Sequence, residues 1–177
     1  QEKILKKKDL SFLHSGHLGD VINALPVIKE LGKTHNCKFY IQSKKPLPEK
    51  GLGYKHPKDY VFMTDKMVDM VLPLLKSQKY IHRVDKYNGE EIDIDLDLFR
   101  KIPMNFNLDE VRWYFQLTGV QTDLSKPYLT VEPSKKIQNK VVIMRSTRRK
   151  NIFINYNFLS KYKDLLFLGI QEEYEDL

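Results

Sequence analysis

The residues best suited to chemistry in this sequence stand together near its start, in the stretch His14-Ser15-Gly16-His17-Leu18-Gly19-Asp20. The stretch combines a carboxylate and two imidazoles, which can take up protons, with glycines that let another group approach the backbone. The carboxylate, Asp20, could take part in binding a polar substrate. It could also simply cap a helix, and composition alone favours that structural role.

A strand before this stretch and a helix after it would position these side chains. Residues 10–13 are a short apolar run typical of an inner strand, and apolar residues recur at helical spacing over residues 21–31. Asp20 stands where the N-cap of the helix belongs, Gly32 where the helix ends, and Pro26 should kink it. Because this order directs N–H groups and the positive end of the helix dipole at one point, it suits an anion or a polar substrate.

The turn matches none of the common nucleotide-binding motifs. Gly16 and Gly19 let the backbone adopt positive φ and allow another group to come close, but their G-x-x-G-D spacing lacks both the G-x-G-x-x-G of a dinucleotide site and the G-K-[ST] ending of a P-loop. His14, His17 and Asp20 form an H-x-x-H-x-x-D pattern that could bind zinc. Glycines between these residues, and the lack of paired Cys or His elsewhere, argue against a metal. We therefore expect no metal and interpret His17 as a substrate contact.

The segments that follow predict a parallel sheet with helices. A strand at 38–42 comes shortly after the first helix, which makes a βαβ unit, and Thr64 can start a helix with an apolar face over 67–75. Residues 44–60 form a long loop, a common place for function in such folds. Its candidates for substrate contact are Tyr54, His56 and Tyr60.

Residues 92–98 alternate with period two, which predicts a strand carrying three aspartates on one face. Carboxylates at every second strand position are about 7 Å apart, too far to share one magnesium ion easily, so a solvated face is expected. Asn107 is predicted to cap a helix that ends at Gly119. Two arginines of this region, Arg100 and Arg112, could hold an anionic group of a substrate.

A proline-containing, polar segment at 132–136 is the best linker, and we divide the chain into a domain at 1–133 and a second one at 134–177. The second begins with a buried strand at 140–144, a basic loop, a helical segment and another strand. The expected fold is therefore α/β: a Rossmann-like parallel-sheet domain and the start of a second Rossmann-like domain. Because such a domain needs roughly 100 residues, we expect this chain to be truncated.

Composition is that of an ordinary globular protein, and the formal charge of +7 is concentrated in two basic runs, at 3–8 and 145–150. These runs favour anionic partners, including membrane headgroups at a peripheral contact, or else form solvated faces. Cys37 is the only cysteine, which fits a reducing, cytoplasmic location. No apolar run approaches the roughly 20 residues that cross a bilayer.

The first motif resembles a known family. Ser15-Gly16-His17-Leu18-Gly19-Asp20-Val21, followed by Ala24-Leu25-Pro26, is similar to the opening loop and first helix of glycosyltransferase family 9, the heptosyltransferase-like enzymes of GT-B fold. In that family an aspartate at the end of this loop is the proposed base that activates the acceptor hydroxyl. The resemblance gives this role to Asp20, with Gly16, His17 and Gly19 on the acceptor side. Arg100, which belongs to no motif of the family, is added to the acceptor side as a cation for an anionic group.

The second half extends the resemblance. Ser146-Thr147 and Lys150 are similar to the hydroxyl-rich, basic loop that holds the donor diphosphate, and 167–173 is similar to the next strand and helix start. Ser146, Thr147, Arg148 and Lys150 would then bind the diphosphate of a nucleotide-sugar donor. Their loop is denser in arginine than the family pattern, and Lys150 stands about one residue out of register.

The resemblance implies inverting, metal-independent and cofactor-free transfer of a sugar to a glycan or lipid-linked acceptor. The 177-residue chain by itself is expected to be inactive, because most of the donor pocket would lie beyond Leu177. The alternative is an anion- or nucleic-acid-binding module without catalysis. The aromatic residues do not interleave with the basic ones, which argues against nucleic acid as a partner.

Overall fold

The computed structural model describes residues 6–47, 60–146, 151 and 153–175. The chain divides into two compact units, Gln1–Val131 and Glu132–Leu177. The predicted loop residues Tyr54 and His56, and the predicted diphosphate ligands Thr147, Arg148 and Lys150, lie outside the described residues.

The first unit contains a four-stranded parallel sheet. Its strands are β1 (Asp9–His14), β2 (Asn36–Ile41), β3 (Arg83–Lys86) and β4 (Ile94–Asp95), in the order β3-β2-β1-β4. The buried positions of β2 are Cys37, Phe39, Tyr40 and Ile41, and those of β1 combine the apolar Leu10 and Phe12 with the polar Ser11 and His14, as suits inner strands that end at a polar site. The α/β class and the parallel sheet are confirmed, and the strand order is compatible with a Rossmann-like domain.

The helix predicted after the glycine turn is two helices. Helix α1 spans Leu18–Asn23 and α2 spans Leu25–Leu31, with the break at Ala24. Pro26 is the cause: it lacks an N–H and fits only the first turn of a helix, so α2 starts next to it. Gly32 ends α2 in a right-handed conformation, with φ of −64°, and therefore needs no glycine-specific backbone.

Helix α3 (Asp65–Lys76) begins as predicted, because the hydroxyl oxygen of Thr64 accepts a hydrogen bond from the N–H of Met67. Helix α4 (Glu110–Thr118) begins later than predicted, with Asp109 rather than Asn107 at its N-cap. It ends at Gly119, whose φ of 73° is the left-handed conformation that glycine adopts without cost.

The core of this unit lies between the sheet and the helices. Its members are buried apolar side chains from β1, β2 and every helix of the unit; the fully buried ones include Leu10, Phe12, Val21, Leu25, Ile28, Phe39, Ile41, Val68, Leu75 and Tyr114. Cys37 is one of this group, and burial raises the pKa of its thiol to about 12. The thiol therefore stays protonated and acts as a small apolar side chain.

The predicted acidic strand is wrong over most of its length. Strand β4 contains only Ile94 and Asp95, and a 3₁₀ turn follows at Leu96–Arg100, because the Asp95 carboxylate accepts a hydrogen bond from the N–H of Asp97 and caps that turn. The turn rotates Asp97 into the interior, where it is 1% exposed. Asp93 pairs with Ser11 and Lys7, so the three carboxylates have three different surroundings instead of one solvated face.

The second unit is small. It contains two parallel strands, β5 (Val141–Ile143) and β6 (Leu165–Phe167), a 3₁₀ segment at Tyr156–Lys161 and the short helix α5 (Gln171–Glu175). The strand predicted as buried, β5, is largely exposed. No helix among the described residues of either unit is long and apolar enough to cross a membrane.

Candidate active site

The candidate site lies at the carboxyl ends of β1 and β4. Strand β1 ends at His14 and β4 ends at Asp95, and the two are neighbours in the sheet. The direction in which the chain builds the sheet reverses between them: β2 and β3 are added on one side of β1, and β4 is then added on its other side. In open α/β sheets such a reversal opens a crevice outside the strand ends, which is where ligands bind.

A buried carboxylate, Asp97, connects the two sides of this crevice. Its Oδ2 accepts a hydrogen bond from the Ser15 N–H at 2.7 Å, a second from the Ser15 hydroxyl, and lies 3.3 Å from the Lys45 ammonium. Its Oδ1 accepts a hydrogen bond from Nη1 of Arg100 at 2.5 Å. The Lys45 ammonium also donates to the Ser15 hydroxyl oxygen at 2.6 Å. Each carboxylate oxygen is thus satisfied despite burial.

The surroundings of Asp97 keep it charged. Burial by itself would raise the pKa of this carboxyl, but the His14 ring, the Ser15 hydrogen bond and the charges of Lys45 and Arg100 outweigh it, and the pKa lies below its ordinary value. His14 is neutral at pH 7, so Ser15 and the two cations hold the charge there. Sequence reasoning missed Asp97 because period two predicted a solvated position for it.

Arg100 joins the buried carboxylate to the exposed one. One guanidinium nitrogen binds Asp97, and the other, Nη2, binds the Asp20 carboxylate. The guanidinium carbon lies 4.2 Å from the ring centroid of Phe99 and 5.0 Å from that of Phe62, within cation–π distance of both. A planar cation fixed at both nitrogens and flanked by two rings has few other rotamers available, so it holds Asp20 in one orientation.

Asp20 is the third residue of α1 and not its N-cap. The N-cap is His17, and the Asp20 carboxylate reaches back to accept a hydrogen bond from the His17 N–H at 3.1 Å. This is the carboxylate half of a capping box, which also stabilises the helix N-terminus. The Asp20 side chain is 16% exposed, and that of Arg100 is 26% exposed, so part of the pair remains open to solvent.

The two glycines of the turn serve the site in different ways. Among the described glycines only Gly89 and Gly119 have positive φ, so neither Gly16 nor Gly19 uses the left-handed conformation open to glycine. Gly16 is needed for space: a Cβ there would lie 2.7 Å from Arg100 Nη2 and 2.8 Å from His14 Cε1, and would also clash with the Asp20 carboxylate. Gly19 lies in α1 and a Cβ there meets no atom within 4 Å.

His14 is a structural part of the site. Its Nδ1 accepts the Gly16 N–H at 2.9 Å, so the ring proton is on Nε2, which donates to the Tyr114 hydroxyl at 2.9 Å. The hydroxyl in turn donates to the Asp20 carbonyl oxygen at 3.1 Å. Burial lowers the pKa of His14 to about 4, against the charges of Asp97 and Asp20, so the ring is neutral near pH 7. This chain of bonds links β1, α1 and α4.

His17 faces the loop side of the site. Its Nδ1 lies 3.1 Å from the Phe62 carbonyl oxygen, and its ring packs edge-on against the Phe62 ring at 5.0 Å. Of the other sequence candidates, Arg112 forms an exposed pair with Asp109 within its own helix and does not join the site, and Tyr60 is largely exposed.

Glu110 is the second site residue that the sequence analysis did not identify. It is the first residue of α4, a position where acidic residues are common for helix stability, so no pattern distinguished it. Burial, hydrogen bonding to Asp20 and the charge of Asp20 raise its pKa to about 7, while Asn23 and Arg100 act in the opposite direction. A carboxyl group that changes charge near neutral pH beside another carboxylate is typical of sites that move protons.

On the donor side, one predicted residue is described. Ser146 follows β5 by three positions and is half-buried in the second unit. The neighbouring Arg145 is buried, with its guanidinium carbon 4.9 Å from the Tyr156 ring centroid.

The geometry of the first unit thus brings Asp20, Arg100, His17 and Gly16 together and adds Asp97 and Glu110, whereas Gly19 faces open space. Comparison with family models, with curated proteins and with solved structures finds no match for this chain.

Proposed function

We propose that this chain is part of a GT-B-type glycosyltransferase that transfers a sugar from a nucleotide-sugar donor to an acceptor hydroxyl with inversion and without a metal. The observation that carries the proposal is the position of Asp20. Its carboxylate stands at the start of a helix, beside the crevice where the strand order reverses, and is held by Arg100 while part of it stays exposed. A held and accessible carboxylate in a ligand crevice is what a general base requires.

In the proposed reaction the acceptor oxygen forms a bond to the anomeric carbon of the donor. The bond from that carbon to the diphosphate oxygen breaks, its electron pair leaves with the nucleoside diphosphate, and the acceptor proton passes to Asp20. Positioning Asp20 against the hydroxyl contributes by proximity as well as by base catalysis. Gly16 leaves room for the Asp20 and Arg100 side chains to meet, and Arg100 orients the base instead of contacting the acceptor, because both its binding nitrogens are occupied.

The departing diphosphate needs cations or N–H groups, and in this proposal Ser146, Thr147, Arg148 and Lys150 supply them. The first unit would hold a glycan or lipid-linked acceptor, with the basic residues near the N-terminus available for a peripheral contact with anionic headgroups. A cytoplasmic location completes the proposal, and the buried, protonated thiol of Cys37 is compatible with it.

The test is an Asp20→Asn variant of the protein expressed from its natural gene. Transfer is measured from labelled UDP-, GDP- and ADP-sugars to a glycolipid and oligosaccharide panel. Removing the base while keeping the shape should lower the rate by about 10²- to 10⁴-fold. Asp69→Asn is the matched control, because Asp69 lies on α3, is exposed, and pairs with Lys86 outside the site.

Transfer by Asp20→Asn at the rate of the Asp69→Asn control would remove Asp20 from the mechanism. Absence of transfer from every donor by the unaltered protein, together with steeply salt-dependent binding to random oligonucleotides, would replace the proposal with a nucleic-acid-binding function.

A further inference from the structure

Glu110 faces the first helix from α4, and its carboxyl group interacts with that of Asp20 without a direct role in the proposed reaction. The polar and charged groups facing it are Asp20 and Asn23 from α1, Arg100 from the 3₁₀ turn, and Tyr114 from its own helix. Only Arg100 among these carries a positive charge, and its nitrogens already bind Asp97 and Asp20. The carboxyl groups of Glu110 and Asp20 therefore share one cation with a third carboxylate.

The hydrogen bonding around Glu110 also indicates that it holds a proton. Its Oε1 is buried, and no donor among the described residues reaches it. An ionised carboxylate oxygen left buried without a donor is costly, whereas a protonated carboxyl group can itself donate to the neighbouring carboxylate. Two carboxyl groups that meet in this way accommodate one proton between them, as the carboxylate dyads of enzymes do.

We propose that Glu110 acts through Asp20 as a positioning residue: the two carboxyl groups share one proton, and loss of that proton frees Asp20 to accept the acceptor hydroxyl. This inference rests on the proposed function for its catalytic meaning. The protonated Glu110 occupies a lone pair of Asp20 that the acceptor hydroxyl would need. When Glu110 ionises, that lone pair becomes available, and the added negative charge favours transfer of the acceptor proton to the pair.

The electrostatics place this change in the physiological range. Burial is the largest cause of the raised pKa of Glu110, and the hydrogen bond to Asp20 and the charge of Asp20 add to it; together they raise this pKa to about 7. Transfer should therefore increase as the pH rises through neutrality, and the increase should depend on Glu110.

The decisive experiment reads the carboxyl groups directly, so it does not depend on turnover. The 177-residue chain is labelled with ¹³C at the glutamate side-chain carboxyl, and its resonances are followed by NMR from pH 4 to pH 9. One resonance should titrate near pH 7 and be missing in Glu110→Gln. The control Glu91→Gln, at an exposed position, should retain it.

Two further variants distinguish pairing from burial alone. Asp20→Asn removes the neighbouring charge and should lower the midpoint by about one pH unit, whereas Asn23→Ala removes a hydrogen bond that favours the ionised form and should raise it. Ordinary titration of every glutamate near pH 4 to 5, or a midpoint near 7 that neither variant moves, would overturn the inference.

Once a donor has been identified, Glu110→Gln should flatten the rise of kcat/KM around pH 7. An unchanged rise would overturn the catalytic part while leaving the role of Asp20 intact.

Discussion

At the scale of single residues, burial gives two ionisable side chains of the site opposite responses to pH. Burial disfavours whichever form carries charge, so it lowers the pKa of His14 to about 4 and raises that of Glu110 to about 7. His14 is fully buried, whereas Glu110 is half-buried, so solvent weakens the effect of Glu110 on stability. Both residues titrate differently in the folded and unfolded chain, and both therefore link stability to pH.

The buried imidazole should make the fold sensitive to acid. In the unfolded chain His14 takes up a proton near its ordinary pKa of 6.5, but in the folded chain only near 4. Between these values the unfolded state binds more protons, so the free energy of unfolding falls as pH decreases from 6.5 to 4, by up to about 3 kcal/mol. Urea unfolding at stepped pH measures this.

Glu110 contributes to the pH dependence of stability with the opposite sign in that range. As the pH falls, the folded state protonates Glu110 before the unfolded state does, so this residue adds stability. The acid-induced loss of stability should therefore be larger in Glu110→Gln than in the unaltered chain. His14→Asn, which keeps an acceptor for the Gly16 N–H, should lose most of the dependence, and the exposed control His82→Asn should keep it. Equal slopes in His14→Asn and the unaltered chain would contradict the assignment.

At the scale of elements, the position of the site depends on how tightly the start of α1 packs against the 3₁₀ turn. Gly16 is the point of closest approach, because any side chain there would meet the Arg100 and Asp20 groups and the His14 ring. Gly19, three residues later and inside α1, meets nothing. The two glycines of this motif thus differ in their physical role: the packing requires glycine at position 16 but not at position 19, although the sequence does not distinguish them.

Paired substitutions test this difference. Gly16→Ala should displace the Arg100–Asp20 pair and lower the free energy of unfolding by about 1–3 kcal/mol, the usual cost of overpacking. Gly19→Ala should be neutral or raise it, by up to about 1 kcal/mol, because alanine has the better helix propensity and space is available. Denaturant unfolding of both variants gives the comparison. Tolerance of Gly16→Ala, or damage from Gly19→Ala, would show that the packing is not as described.

At the scale of the whole molecule, the two units differ in how well they bury apolar surface. The buried core consists of residues from Gln1–Val131, and in the described part of Glu132–Leu177 the buried hydrophobic residue is Leu159. Residues 132–140, at the start of the second unit, are all exposed and contain three lysines. An exposed boundary next to a weakly buried unit is the kind of segment that proteases reach first.

Limited trypsin digestion should therefore cut at Lys135, Lys136 or Lys140 before it cuts within α3 or α4. Intact-mass spectrometry over a digestion time course would identify the first fragments, and the fragment that ends in this segment should persist. Early cleavage inside α3 or α4, with 132–140 still intact, would contradict the described burial. The control is a variant that carries all three substitutions Lys135→Gln, Lys136→Gln and Lys140→Gln, because trypsin should no longer cleave it within 132–140.

Local patterns were sufficient for several elements of the first unit, although not for the strand predicted at 92–98. The apolar run of β1, the helical spacing that starts at Val21, and the Thr64 cap each depend on neighbours in the chain, so a reader of the sequence could predict them. Pro26 marked the interruption for the same reason, although it divides the helix instead of kinking it. Asp20 and Arg100 were identified by residue type and motif, but their direct pairing was not.

The rest of the site was decided by contacts between residues that are distant in the chain. Asp97 is buried because its partners Ser15 and Lys45 come from other segments, and those partners offset a desolvation cost that the alternating pattern could not reveal. Glu110 acquires its unusual proton affinity only because α4 packs against α1. The amino-acid sequence by itself determined β1, β2, the start of α3 and the glycine turn with its carboxylate, since these follow from neighbouring residues. Only the tertiary structure decided which charges meet, because the energy of a buried charge depends on the groups that surround it in space.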